Sequence, residues 1–354
     1  MPCYSWHSHE LRVEKSTHCL LDLLDSVKLE NSNDSSSLRH DCPIRTKDGG
    51  RVKCASCLAE AGNLTNPIAR SIDGRVPDNS TDGNNTPKAT FFVLGWIAER
   101  LPWLVREIRS RGHEVASHGY YHTHCTHLSL DSLKRDLDDS RRLLEDVIGD
   151  AIYGYRAPNF AVDVALLKII QECGYLYDSS FNSFALNGRY GSLDVTKNVN
   201  LGIAAKISDT FYELPISNLR LGNRILPWGG GGYFRLTPCT LFKAGVRLIL
   251  KKDGAYLFYM HPWELDPQQP RVDGVPRFSR FRHYTNLKKT GEKLSSFIEA
   301  FKEHTFITCH EYLQLPSLDG TPFMNSPSFS HETNETDQSA PLSHTLFHPI
   351  TRYS

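Results

Sequence analysis

His113-Glu114-Val115-Ala116-Ser117-His118-Gly119-Tyr120-Tyr121-His122 decides the fold. It reads as a short strand, 113–117, that delivers His118 at its C-terminal end and a second imidazole four residues on. Upstream, Ala89-Thr90-Phe91-Phe92-Val93-Leu94 is an apolar run of strand length. Trp96 to Arg111 has helical apolar spacing, with Gly112 as its stop signal. Strand, helix, strand in this order predicts a parallel α/β sheet, in which ligands and metals collect at the C-terminal strand ends. Two histidines at i and i+4 can face one divalent cation if the backbone turns helical after the strand.

Three further apolar runs end in chemistry-bearing residues. Gly154-Tyr155-Arg156-Ala157-Pro158 delivers Arg156, Tyr175-Leu176-Tyr177-Asp178 delivers Asp178, and Ala255 to Met260 delivers His261. Four such strand ends predict a shared rim. Between them the sequence predicts helices over 131–148, capped by Ser129 with Leu130 on its apolar face, and over 162–173, closed by Gly174. A strand is predicted at Phe211–Pro215 and a helix over 238–252 with Thr237 as its cap. The last helix is predicted over 290–304 and the last strand at 305–308. Gly229 to Gly232 reads as a flexible loop near the rim.

In order and spacing these segments resemble the polysaccharide deacetylase (NodB-homology) family. Lys88 to Trp96, Gly112 to Tyr120 and Tyr155 to Pro158 resemble its branch associated with bacterial exopolysaccharide and exosortase loci. Gly230-Gly231-Gly232-Tyr233-Phe234-Arg235 and Ser279 to Tyr284 resemble that branch's C-terminal extension. The resemblance covers roughly residues 88–315, with a weaker piece at Trp6–Asp25. It implies a distorted (β/α) barrel and a metal-dependent N-deacetylase acting on acetylated amino sugars of an exopolysaccharide. It implies a divalent metal, usually zinc, on His118 and His122. His261 is then the general acid, Arg156 orients the catalytic carboxylate, and Asp178 holds or tunes His261. Tyr120 and Trp263 wall the sugar pocket.

The family's first strand should end in paired acids, which supply the water-activating base and the third ligand. No such motif precedes the first helical segment, Leu11 to Leu24, so the base is unassigned and the first strand is expected to be missing. The expected organisation is a first-helix remnant at 1–26, a polar, disordered insert at 27–87, the barrel with its extension at 88–315, and a disordered tail at 316–354. His40, Cys42, Cys54 and Cys57 in the insert are spaced for half a zinc ribbon, although scattered cysteines fit them better. Asp73, Asp78, Asp82, or His124, Cys125 and His127, could complete a metal site. Other readings of the same residues are a catalytically impaired or glycan-binding relative, and an allantoinase-like amidohydrolase of a small cyclic amide.

Composition bounds the partners. Lys+Arg and Asp+Glu are 40 each, so no global field draws the chain to nucleic acid. No run of 18 apolar residues predicts a membrane span, and no basic-then-apolar leader is visible, which predicts a cytoplasmic location. Nine cysteines show no framework spacing, and Cys125, Cys173, Cys239 and Cys309, in or near predicted elements, read as reduced and structural. Arg277 to His283 reads as a solvated basic rim, with contact to an acidic polymer as the alternative for Arg280 and Arg282.

Overall fold

The computed structural model describes residues 12–29, 86–184, 193, 195, 198–271, 274 and 276–315. The described residues belong to one compact unit, Met1–Leu315. The insert's cysteines and acids and the whole tail lie outside the described residues.

The elements in chain order are α1 (Val13–Ser26), β1 (Thr90–Val93), α2 (Gly95–Arg100), α3 (Pro102–Ser110), β2 (Glu114–Ser117), α4 (Leu130–Ile148), β3 (Gly154–Tyr155), α5 (Val164–Glu172) and β4 (Tyr177–Asp178). There follow β5 (Val199–Leu201), β6 (Ala204–Ser208), β7 (Phe211–Glu213), β8 (Asn218–Leu221), β9 (Arg224–Pro227), α6 (Gly231–Leu236), α7 (Cys239–Asp253), α8 (Arg277–Tyr284), α9 (Thr290–Glu299) and α10 (Cys309–Tyr312).

The protein is a mixed α/β structure. One seven-stranded sheet has the order β1-β2-β3-β4-β7-β6-β5, and β8-β9 form a separate hairpin. The first five strands in that order run parallel, and β6 and β5 join antiparallel. Among the described residues the sheet does not close into a barrel, and no strand pairs with the outer edge of β1. The expected last strand is an extended segment instead: the Phe306 carbonyl accepts a hydrogen bond from the Lys88 N–H, with no ladder. The expected His261 strand is likewise reduced to one parallel bridge between Gly230 and Tyr259.

Register places the rim. Ser117 pairs with Tyr155, and Tyr155 with Asp178. His118, Arg156 and Ser179 are therefore the next residues out, at one level. Successive side chains on a strand point to opposite faces. Ser117, Tyr155 and Asp178 thus share the face covered by helices, where the Ser117 hydroxyl lies 2.9 Å from that of Ser140 on α4. His118, Arg156 and Ser179 share the other.

Helix ends follow local chemistry. Ser129 caps α4 through the Ser132 N–H, and Gly149 closes it in the left-handed conformation at φ 72°. Asp163 caps α5. The helix expected over 96–111 is broken in two, because Pro102 cannot continue a helix but suits the first position of α3. Leu130 is 65% exposed and leaves the apolar face to Leu133, Leu137 and Leu144. Thr237 closes α6 rather than capping α7, whose cap is Pro238.

Two apolar clusters hold the unit together. One joins β1–β3 to α2–α5 through Val115, Leu137, Leu144, Ile152 and Ile170. The other joins α7 and α9 to the hairpin through Phe234, Phe242, Val246 and Phe297, with Trp228 stacked on Phe242 at 5.5 Å. Helix α1 reaches both, with Leu21 in the first and Leu20 and Leu24 in the second. Its entry is fixed by Arg12, whose Nε and Nη2 donate to Asp266 Oδ2 at 2.5 Å and Oδ1 at 3.0 Å.

Candidate active site

His118 leaves β2 with its N–H on the Val93 carbonyl. Its Nδ1 lies 2.6 Å from the Arg156 carbonyl. A carbonyl only accepts, so Nδ1 carries the proton and Nε2 keeps its lone pair, as in metal-ligating histidines. Burial, then the neighbouring His122 ring, push the His118 pKa down to about 3. It is a neutral imidazole at any physiological pH.

The backbone after His118 turns, but not into a helix. Gly119 has φ 76° and His122 φ 58°. This brings the His122 ring 5.1 Å from the His118 ring, at 69°. The helical expectation for the pair is thus corrected, although the rings do meet. Burial first, and His261 second, lower the His122 pKa.

The turn is held from α4 by residues that sequence reasoning missed. Asp136 Oδ2 accepts the Tyr120 N–H at 3.0 Å, and the Ser140 hydroxyl donates to the Gly119 carbonyl at 3.1 Å. A Cβ on Gly119 would stand 2.7 Å from that Asp136 oxygen. The available signal was two polar residues at i and i+4 among the leucines of an otherwise apolar helix face. Tyr120 itself packs over Gly95, where a Cβ would be 2.6 Å from its ring.

Arg156 is buried. Its Nε and Nη2 donate to the Ser179 carbonyl and hydroxyl, each at 2.8 Å, and its guanidinium lies 4.0 Å over the Phe92 ring. Among the described residues no carboxylate forms an ion pair with it. Tyr259 links it to the histidines: its ring is 5.9 Å from the guanidinium and 6.2 Å from the His261 ring.

Asp178 does not reach His261. Lying on the helix-covered face, it accepts from the Ser180 hydroxyl at 2.7 Å and the Ser180 N–H at 3.1 Å. It also adjoins Glu213, whose Oε1 takes the Phe181 N–H at 2.9 Å and whose buried Oε2 has no hydrogen-bond partner among the described residues. Burial, then the Asp178 charge, raise the Glu213 pKa well above its usual value. Burial raises the Asp178 pKa as well.

The carboxylate at His261 is Glu264, which the sequence reading did not single out. Its Oε1 accepts the His261 N–H at 3.0 Å and lies 3.3 Å from His261 Nδ1. Its Oε2 pairs with Arg235 Nε at 2.7 Å, and both side chains are 2% exposed. Burial alone would raise the Glu264 pKa; His261 and Arg235 outweigh it and lower it. Arg235 also donates to the carbonyls of Arg282, His283 and Thr285 at 2.7–3.1 Å. The glycine run is explained here: a Cβ on Gly231 would overlap the Glu264 carboxylate. That run is a β-bridge and a helix, not a loop.

Trp263 stacks on His261 at 5.6 Å and on His283 at 4.1 Å. His124 and His127 stack on each other at 4.9 Å, while buried Cys125 faces Tyr155, 3.5 Å from its hydroxyl. The structure therefore brings His118, His122, His261, Arg156 and Trp263 to one end of the sheet and leaves Asp178 beneath it.

Residues 84–177 match the polysaccharide deacetylase family model. This segment is a polysaccharide deacetylase domain. Residues 179–314 match a second model, a domain of unknown function (DUF3473), which contains the Glu264–Arg235 pair and α8. The chain is 34% identical over 95 residues to a peptidoglycan deacetylase-like protein of Gibberella zeae, covering 27% of this chain and 28% of that protein. It is 30% identical over 88 residues to a peptidoglycan-N-acetylglucosamine deacetylase of Bacillus cereus, covering 25% and 41%. The chain thus spans less than half the length of these curated relatives. A crystal structure of a polysaccharide deacetylase from Mycobacterium smegmatis aligns over 62% of this chain and 74% of its own, at 22% identity and a TM-score of 0.37.

The donor set fits part of a metal site. His118 has the fixed tautomer of a ligand and His122 adjoins it. Among the described residues no group of three or more His, Cys, Asp or Glu is placed to hold an ion. No described helix is long and apolar enough to cross a membrane.

Proposed function

We propose that the protein is a divalent-metal-dependent N-deacetylase of acetylated amino sugars in an exopolysaccharide. The reaction is hydrolysis of an acetamide: water adds to the carbonyl, the C–N bond breaks, and acetate and a protonated amine leave. His118 and His122 would hold the ion, zinc by the family's habit. When bound, that ion polarises the acetamide carbonyl and lowers the pKa of a bound water.

The chain's own groups do the rest. His261 delivers a proton to the leaving nitrogen, and Glu264 orients its ring through Nδ1. Arg235 holds the other oxygen of Glu264. Arg156 orients the carboxylate that takes the proton from water; that base is unassigned among the described residues. Asp178 supports the floor of the site from beneath. Tyr120 and Trp263 wall the sugar-binding cleft.

The observation that carries this reading is the pair of neutral imidazoles at the end of β2, with a carboxylate-held third histidine facing them. The test is zinc content together with acetate release from an N-acetylglucosamine oligomer. The wild-type chain should bind zinc and release acetate, and His118→Ala should lose both while folding normally by circular dichroism. Full zinc content in that variant would reject His118 as a ligand.

One observation favours a second reading, a glycan-binding relative with little turnover: the buried Arg156 has no carboxylate partner among the described residues. Glycan binding without acetate release from metal-loaded protein would select it.

A further inference from the structure

Helix α8 (Arg277–Tyr284) has no buried residue, yet it is rigidly attached to the site. Arg235 takes the carbonyls of Arg282 and His283 from the same guanidinium that pairs with Glu264. The His283 ring stacks on Trp263 at 4.1 Å, and Trp263 stacks on His261. The helix is therefore a fixed extension of the cleft that contains the proposed general acid.

Its outer face has an unusual composition. At 100° per residue, His283 points inward, which places Phe278 and Phe281 at the centre of the opposite face. They are 74% and 58% exposed. Arg277 and Arg280 flank them on one side and Arg282 on the other. None of these arginines has a side-chain partner among the described residues, and the helix carries no acid. Two bare aromatic rings cost solvation unless covered, and three unpaired guanidiniums within two turns repel one another. Both penalties are relieved by one kind of occupant: a chain of sugar rings, whose apolar faces cover the phenylalanines, bearing carboxylates for the arginines.

We propose that the outer face of α8, beside the histidine pocket, is a subsite for an anionic, uronate-bearing N-acetylated polysaccharide. The proposal rests on the deacetylase reading and narrows its substrate to an acidic polymer. The alternation of bare rings and arginines favours a glycan over a lipid surface, because each ring can cover one sugar face and each guanidinium can pair with one carboxylate.

The test compares two probes on the full chain: an oligosaccharide alternating glucuronate with N-acetylglucosamine, and a neutral N-acetylglucosamine oligomer of equal length. Affinity, read by Trp fluorescence or calorimetry, should favour the acidic probe at least tenfold at low salt, and the preference should shrink as salt rises. An Arg277→Gln/Arg280→Gln/Arg282→Gln variant should bind both probes alike, and Phe278→Ser/Phe281→Ser should weaken both. Equal affinity for the two probes in the wild type would overturn the proposal. So would a preference that survives the triple arginine variant. Binding to phosphatidylglycerol vesicles with no acidic-sugar preference would also overturn it and assign the face to a membrane. Acetate release is scored separately, so a chain that prefers the acidic probe but releases no acetate refutes the deacetylase reading and not this one.

Discussion

Glu264→Gln isolates the link between the extension and the general acid. The substitution keeps the shape of the side chain and its hydrogen bond with the His261 N–H, but removes the charge. Arg235 then loses its counter-ion at a site where both side chains are 2% exposed, retaining three backbone carbonyls. A hydrogen bond to a charged group contributes about 1.5–3 kcal/mol, and the remaining polar contacts keep the loss near that range rather than the ~3–5 kcal/mol of a buried charge left bare. For a domain of this size about 1 kcal/mol shifts the midpoint by ~2–4 °C, so the variant should melt about 4–10 °C lower at pH 7.

The sign with pH is fixed. The folded-state pKa of Glu264 lies below its ordinary 4.5. Its contribution is therefore complete above the unfolded value and is lost as pH falls through the folded one. Wild type and variant should converge in thermal melts as pH falls through that lowered folded value, because both then carry a neutral side chain. Turnover should fall with little change in KM, since His261 loses its orienting acceptor. Equal melting temperatures at pH 7, or a gap that does not narrow as pH is lowered, would refute the role given to this pair.

Three other outcomes are expected. His261→Ala should lower kcat by about 10²–10⁴-fold, the ordinary range for a general acid, with zinc content intact by metal analysis. Glu213→Gln should flatten the pH dependence of stability: the raised Glu213 pKa means that wild type loses stability as pH climbs above 4.5, whereas an amide donates to Asp178 at every pH, and thermal melts between pH 5 and 9 read the difference. Gly119→Ala should abolish zinc binding more than it lowers the melting temperature, because φ 76° and the Asp136 oxygen both oppose a Cβ; a variant with full zinc would show that the turn is not what sets the histidine pair.

The strand ends at His118 and Arg156 were legible because each follows an uninterrupted apolar run, and register then aligns them without further information. Asp178 was misplaced by one residue of alternation: its run is as apolar as the others, but the rim position on that strand is Ser179. Sequence could not assign Glu264, because its meaning depends on Arg235, which lies 29 residues away in chain and touches it only after α6 folds. The break at Pro102 was readable from the proline alone. The run of glycines was not, since the reason for Gly231 is a carboxylate contributed by a distant turn. Helix α8 has no apolar stripe at helical spacing to betray it, and it is held by backbone carbonyls that any sequence would supply.

The ion pair between Arg12 and Asp266 spans 254 residues. A chain emerging from the ribosome at roughly 5–20 residues per second makes α1 on the order of 10–50 seconds before its anchor exists. For that interval Leu21 already has its cluster and Asp22 and Asp25 have Arg111, but Leu20 and Leu24 still lack Leu294, Phe297, Ile298 and Phe301. The docking of α1 is thus completed late, and expression of this protein should depend on how well the cell shelters Leu20 and Leu24 while residues beyond 266 are synthesised.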